Sequence, residues 1–236
     1  MKVFITGGTA GIGSAIAIAY LGAGYTVGVC GRNKQNYYEN FKEYEGNKNL
    51  FFYNVDVTNK EQVQTAIKDF TNKNSRLDIL IANAGISNKK ESIPSFEKSY
   101  EMININILGL MYSIETATEI FLKQKSGHIV LMSSIAAFFG TSGYATYCGT
   151  KAFILKFGEA LAIDLNQKNI DVTIIAPGFV DTALTKINQF KMPFLMNSND
   201  AAKRIVGAIS SKKIFYVFPF RMRLLLFPFR FISTAF

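Results

Sequence analysis

Residues 2–13 read KVFITGGTAGIG, and residues 14–24 continue as SAIAIAYLGAG. Val3, Phe4 and Ile5 suit a buried strand, and the alanine- and isoleucine-rich run after the last of these glycines suits a helix. A strand, a glycine turn and a helix in that order give Gly7, Gly11 and Gly13 a specific use. They let the backbone turn tightly and approach a pyrophosphate, whose charge is favoured by helix N-terminal amides and the positive end of the helix dipole. A glycine triplet alone suits any turn before a helix, so the order carries the weight.

Working outward, short apolar β-type runs recur as KVFIT, YTVGVCG, NLFFYNV, LDILIAN, HIVLMSS, DVTIIAP and IFYVF, with amphipathic helical stretches between most of them. Strands buried on both faces read as continuous apolar runs, and helical crossovers require a parallel sheet covered on both sides. The expected class is α/β, a single-domain doubly wound parallel sheet of the Rossmann kind, with about seven strands and helices on both faces. The catalytic domain is placed at residues 1–218, with a substrate lid over about 179–200 and an aromatic, basic tail at 219–236. No repeat, low-complexity block or flexible linker interrupts it.

At 236 residues and 49% apolar composition the chain suits one domain with a sizeable core. Val3 to Gly31 holds no charge but eight glycines, too many for a continuous membrane helix, and no targeting peptide is expected. Cys30 and Cys148 lack metal-ligand spacing and read as reduced thiols of a cytoplasmic protein. The single histidine, His128, reads as structural, and no metal site is expected. The net charge of +9 is concentrated in the C-terminal part, with nine basic residues and one acid from Lys186 onward. Nucleic-acid binding is disfavoured, because no recognition motif accompanies that charge.

The spacing Gly-x-x-x-Gly-x-Gly after Thr6 resembles the short-chain dehydrogenase/reductase family. VDVT places Asp56 at the end of the third strand, where the resemblance implies an aspartate for the adenine. ANAG, Ala82 to Gly85, matches the family's Asn-Asn-Ala-Gly turn except at its first residue, and PGFVDT at 177–182 resembles its Pro-Gly turn. The cofactor set so implied is Thr6, Gly7, Gly11, Ile12, Gly13, Arg32, Asp56, Val57, Asn83, Ala84, Gly85, Tyr147, Lys151, Pro177, Gly178, Val180 and Thr182. In CGRN, Gly31 stands where an NAD-binding acid would be, and the Arg32 guanidinium can pair with a 2′-phosphate. NADP(H) is therefore the preferred cofactor, with NAD(H) second.

TYCGTKAF, residues 146–153, puts Tyr147 and Lys151 on one helical face. Tyr38 with Lys42 and Tyr44 with Lys48 share the spacing, but they fall in the polar stretch Asn33–Asn49, read as a solvated helix and loop. Tyr147 alone follows a strand-end serine, Ser134, by thirteen residues, the family's spacing. The resemblance implies Tyr147 as acid and base, Lys151 as the ribose-binding group that makes the phenol more acidic, Ser134 on the substrate oxygen, and Asn106 of NINILG in a water relay. The residue types make chemical sense independently. An alkoxide formed by hydride delivery needs a proton, and a phenol near pKa 10 is a weak donor unless a cation stabilises its anion.

Phe138, Phe139, Phe179, Leu184, Phe190, Met192, Phe194, Leu195 and Met196 suggest a lipophilic carbonyl substrate or lid packing. The last 22 residues hold seven phenylalanines and no acid. They either dock on the fold or lie in a membrane interface with Arg221, Arg223 and Arg230 near lipid phosphates; Pro219 and Pro228 exclude a long helix. The expected function is NADPH-dependent reduction of a small-molecule ketone or aldehyde to an alcohol, and the alternative is a non-catalytic NADP(H)-binding sensor or scaffold. The resemblance implies a homodimer or homotetramer.

Overall fold

Val3, Phe4, Ile5, Leu80, Ile81, Ile129, Val130 and Leu131 are almost wholly shielded from water, so their strands are covered on both faces. In the computed structural model, which describes residues 1–87, 93–186 and 191–222, seven parallel strands form one sheet. These are β1 (Lys2–Thr6), β2 (Thr26–Gly31), β3 (Leu50–Asn54), β4 (Ile79–Ala82), β5 (Gly127–Met132), β6 (Ile170–Pro177) and β7 (Phe215–Phe218). Their order is β3-β2-β1-β4-β5-β6-β7, and all seven runs read from the sequence are strands.

Alternation along the strands divides the core in two. Phe4, Leu80, Ile129, Leu131 and Ile174 pack with α3 (Lys60–Asn74), α5 (Gly109–Gln124) and α6 (Ala145–Asn166). Val3, Ile5, Ile79, Ile81, Val130 and Ile175 pack on the other face with α1 (Gly11–Gly22) and α8 (Ser198–Ser210). Shorter helices, α2 (Lys34–Asn40), α4 (Phe96–Ile103) and α7 (Ala183–Lys186), lie in the connections. The doubly wound sandwich is therefore as expected.

β1 pairs with β2 on one side and β4 on the other, so the chain leaving β1 and the chain leaving β4 turn to opposite faces. That divergence opens a crevice at the C-terminal ends of the strands, where ligands of such sheets bind. His128 is buried on β5, its Nε2 2.8 Å from the Thr173 hydroxyl. Burial pulls it down to about 4, so it is a neutral core histidine as the sequence suggests.

The described beginning of the tail is continuous with the body. Met222 is buried against Ile135, Ala176 and Val217, and the Gly178 amide donates to the Phe218 carbonyl oxygen at 2.7 Å. Phe190, Arg223, Pro228, Arg230 and the rest of the segment from residue 223 lie outside the described residues. No helix among the described residues is long and apolar enough to cross a membrane.

Candidate functional site

The turn after β1 is built by close approach. Gly7 has φ +61°, and a Cβ there would lie 2.8 Å from the Ala84 Cα; a Cβ on Gly13 would lie 2.3 Å from the Gly7 carbonyl oxygen. Asn83 fastens this turn to β4, its Nδ2 donating to the carbonyl oxygens of Thr6 (3.1 Å) and Gly7 (3.0 Å). Thr6 completes the clamp, its hydroxyl oxygen accepting from the backbone N–H groups of Asn83 and Ala84. α1 starts from Ala10 with no side-chain cap and no acid in its first turn, which leaves its leading amides directed at the crevice.

A cleft of about 400 Å³ runs along the strand ends. It is lined by Gly7, Gly11, Ile12, Arg32, Val57, Asn83, Ala84, Gly85, Ser134, Tyr147, Lys151, Pro177, Gly178, Val180 and Thr182, each of them a residue singled out in the sequence. Four others singled out there are absent from its lining. Thr6 and Gly13 act behind the surface, as clamp and as close contact. Asp56 is not at the end of β3 but two residues past it: one carboxylate oxygen accepts from the Thr58 N–H and hydroxyl, the other lies 3.8 Å from Arg32. Asn106 is fully buried in a π-helical turn, Asn104–Leu108, between α4 and α5.

That π-turn was not foreseen, because a one-residue widening of a helix leaves no periodicity signal in five residues. It swings the Asn106 side chain inward. Oδ1 accepts from the Ile86 N–H at 2.8 Å, and Nδ2 donates to the Ile86 carbonyl oxygen and to the Thr150 hydroxyl at 3.1 Å. Thr150 in turn donates to the Tyr147 carbonyl oxygen, tying the π-turn to the helix that carries the tyrosine. Its place three residues after Tyr147 on one helical face was the available signal. Asn33 and Asn36 also line the cleft beside Arg32, so the first turn of α2 is part of the site rather than merely solvated.

The end of β5 holds α6 by both ends of one lysine. Ser133 Oγ donates to the Lys151 carbonyl oxygen at 2.8 Å, and Lys151 Nζ donates to the Met132 carbonyl oxygen at 3.0 Å. Ser134, facing the opposite way, hydrogen-bonds the Tyr147 hydroxyl. Both serines border the cleft, but Ser133 is committed to the Lys151 carbonyl oxygen and only Ser134 acts on Tyr147.

The expected acidification of Tyr147 is corrected by the electrostatics of the site. Burial pushes the phenol up to about 12, opposed by the Ser134 hydrogen bond, and pushes the Lys151 ammonium down to about 8. Tyr147 borders the cleft, and Lys151 Nζ lies 5.7 Å from its ring centroid while donating to the Met132 carbonyl oxygen. Desolvation is the largest cause of both shifts. Tyr147 is consequently a proton-holding phenol through neutral pH.

A second chamber of about 210 Å³ shares Ser134, Tyr147, Gly178, Leu184 and Thr185 with the cleft. Phe139, Phe179 and Leu184 line it, as the sequence suggests, together with Cys148 and Tyr144. Phe138 and Met196 instead pack on the core, and Phe194 and Leu195 are exposed. No charged side chain lines this chamber among the described residues.

The chain as a whole is similar to known proteins. The chain is 31% identical over 188 residues to a 3-oxoacyl-(acyl-carrier-protein) reductase of Chlamydia pneumoniae, covering 79% of this chain and 76% of that one. It is 32% identical over 210 residues to an uncharacterized oxidoreductase of Staphylococcus aureus, covering 89% and 90% of the two chains. A solved structure of ElxO with NADP bound is 31% identical and superposes with a TM-score of 0.78, covering 87% of this chain and 90% of that one. The family description "short chain dehydrogenase" matches residues 1–191, which include the glycine turn, the Asn83 clamp and the Ser134–Tyr147–Lys151 cluster, and the chain therefore belongs to the short-chain dehydrogenase family of oxidoreductases.

Proposed function

We propose that this protein is an NADPH-dependent carbonyl reductase in which Tyr147 is the proton donor. The observation that carries the reading is the meeting of Ser134, Tyr147 and Lys151 where a phosphate-ready cleft joins an uncharged chamber. The glycine cradle fits a dinucleotide: Gly7 and Gly13 have no room for a Cβ, and the leading amides of α1 suit a pyrophosphate. Arg32 with Asn33 and Asn36 would hold a 2′-phosphate, and an acid in place of Gly31 would collide with Thr9, whose Oγ1 lies 2.4 Å from the position of a Cβ. Complexes of relatives with NADP, NADPH and NADH support the class of cofactor.

When bound, the reduced nicotinamide supplies a hydride to a carbonyl carbon. Ser134 orients the carbonyl oxygen, and Tyr147, kept neutral by burial, transfers its hydroxyl proton to that oxygen as negative charge develops. Lys151, charged below about pH 8, stabilises the phenolate that remains. Asn106 and Thr150 fix the backbone that presents them. The uncharged chamber favours a compact neutral ketone or aldehyde. NADPH consumption with a panel of such compounds, parent against Tyr147→Phe, tests the reading: the parent oxidises NADPH and the variant does not, whereas equal rates would overturn it.

A further inference from the structure

We infer that residues 219–222, rather than forming a separate anchor, are a built part of the substrate site: Met222 sets the chamber wall and Arg221 latches Phe194 beside the Val180–Met196 bridge. This rests on the reductase reading for its catalytic consequences but on packing for its geometry.

Two contacts carry the wall. Gly178 lines both cleft and chamber, and the position of a Cβ on it lies 3.1 Å from Pro219 Cδ and 3.6 Å from Met222 Cγ. Met222 packs in a small apolar cluster with Ile135, and Phe179 lies against the same cluster. Ile135 and Phe179 are chamber walls from separate parts of the chain, one from the turn after β5 and one from the turn after β6. A single thioether side chain thus stands behind the glycine between the two cavities and in the apolar cluster on which both walls rest, and its volume limits how far they can part.

The latch is the neighbouring residue. The Arg221 guanidinium stands over the Phe194 ring, 5.6 Å from its centroid. Phe194 lies two residues before Met196, which bridges to Val180; the Met196 N–H donates to the Phe179 carbonyl oxygen at 3.0 Å and the Asp181 N–H to the Met196 carbonyl oxygen at 2.8 Å. Arg221 therefore ties the segment after β7 to the loop whose base carries Phe179. Neither residue touches the reacting atoms; both are positioning residues.

Cys148 gives a readout that needs no turnover, because it lines the chamber while Cys30 is buried in the core on β2. In the full chain, Met222→Ala should raise the rate of Cys148 alkylation by N-ethylmaleimide about tenfold with Cys30 unmodified, and should shift kcat/KM by about tenfold in favour of bulkier over smaller ketones. Met222→Leu should restore both. Arg221→Gln should raise KM for the carbonyl compound and Cys148 labelling about two- to fivefold, with kcat and KM for NADPH unchanged. Labelling of Cys30 and Cys148 together, or labelling unchanged in both variants, would overturn the inference. A parent inactive on every ketone would instead overturn the reductase reading, and the labelling would still decide this one.

Discussion

Tyr147 with Lys151 and Tyr38 with Lys42 have the same spacing, yet only Tyr147 and Lys151 line the cleft. Tyr38 is 61% exposed and stacks edge-on with Tyr37; α2 ends at Asn40, so Lys42 begins a separate 3₁₀ turn and does not continue the same helical face. Tyr147 and Lys151 lie inside the first two turns of a 22-residue helix held against β5 by Ser133 and Met132. Water surrounds the exposed pair and screens its charge. Protein around the second shifts both proton affinities, which a spacing rule cannot register.

The largest effect expected is on Tyr147→Phe, which removes the proton donor. Its kcat for ketone reduction should fall about 10²- to 10⁴-fold with NADPH binding retained, while Tyr38→Phe leaves kcat unchanged; steady-state kinetics on both variants checks the contrast. Next comes Lys151→Met, which should lower kcat about 10- to 10³-fold, against no change for Lys42→Met. A Lys151 variant as active as the parent would show that the amine is structural only.

The pH profile sharpens the same contrast. Lys151 titrates near 8, so kcat/KM should fall as pH rises above that value, by about tenfold per unit once the loss of charge is complete. Stability should move the other way. The ammonium of Lys151 has a lower pKa folded than unfolded, so the unfolded chain holds more protons between about pH 8 and the ordinary lysine value of 10.5. The lysine's burial penalty is then present below pH 8 and relieved as pH rises through that window. Urea titrations of parent and Lys151→Met at pH 7.5 and 10 should show their stability gap narrowing at the higher pH.

The smallest effect concerns the edge where the polar stretch meets the cleft. Arg32→Ala should raise KM for NADPH about tenfold and leave KM for NADH within twofold, because Arg32 is half-exposed and already shares its charge with Asp56 at 3.8 Å. Equal losses for both cofactors would assign Arg32 a general role at the cleft mouth.

Much of this was readable in advance because it depends on local rules. Short apolar runs rich in β-branched and aromatic residues and separated by helical stretches read as buried strands, and Gly7 and Gly13 announce a backbone contact that no side chain permits. What escaped were features that depend on who lies opposite. Thr6 belongs to the clamp on Asn83 and Ala84 rather than to the cleft surface, and Asp56 spends its oxygens on Thr58 and Arg32. Phe138 and Met196 serve the core while Phe139 lines the chamber, although all three are equally apolar in the sequence.

By itself the sequence determined the parallel α/β sandwich, the glycine turn and the residues that meet at the catalytic end, since these follow from chain periodicity, backbone sterics and a fixed motif order. Only the tertiary structure decided the upward push on the Tyr147 phenol, the inward turn of Asn106 and the seating of Met222 behind the chamber. Each of those is set by desolvation or contact between segments far apart in the chain, and such quantities exist only once the fold has brought the segments together.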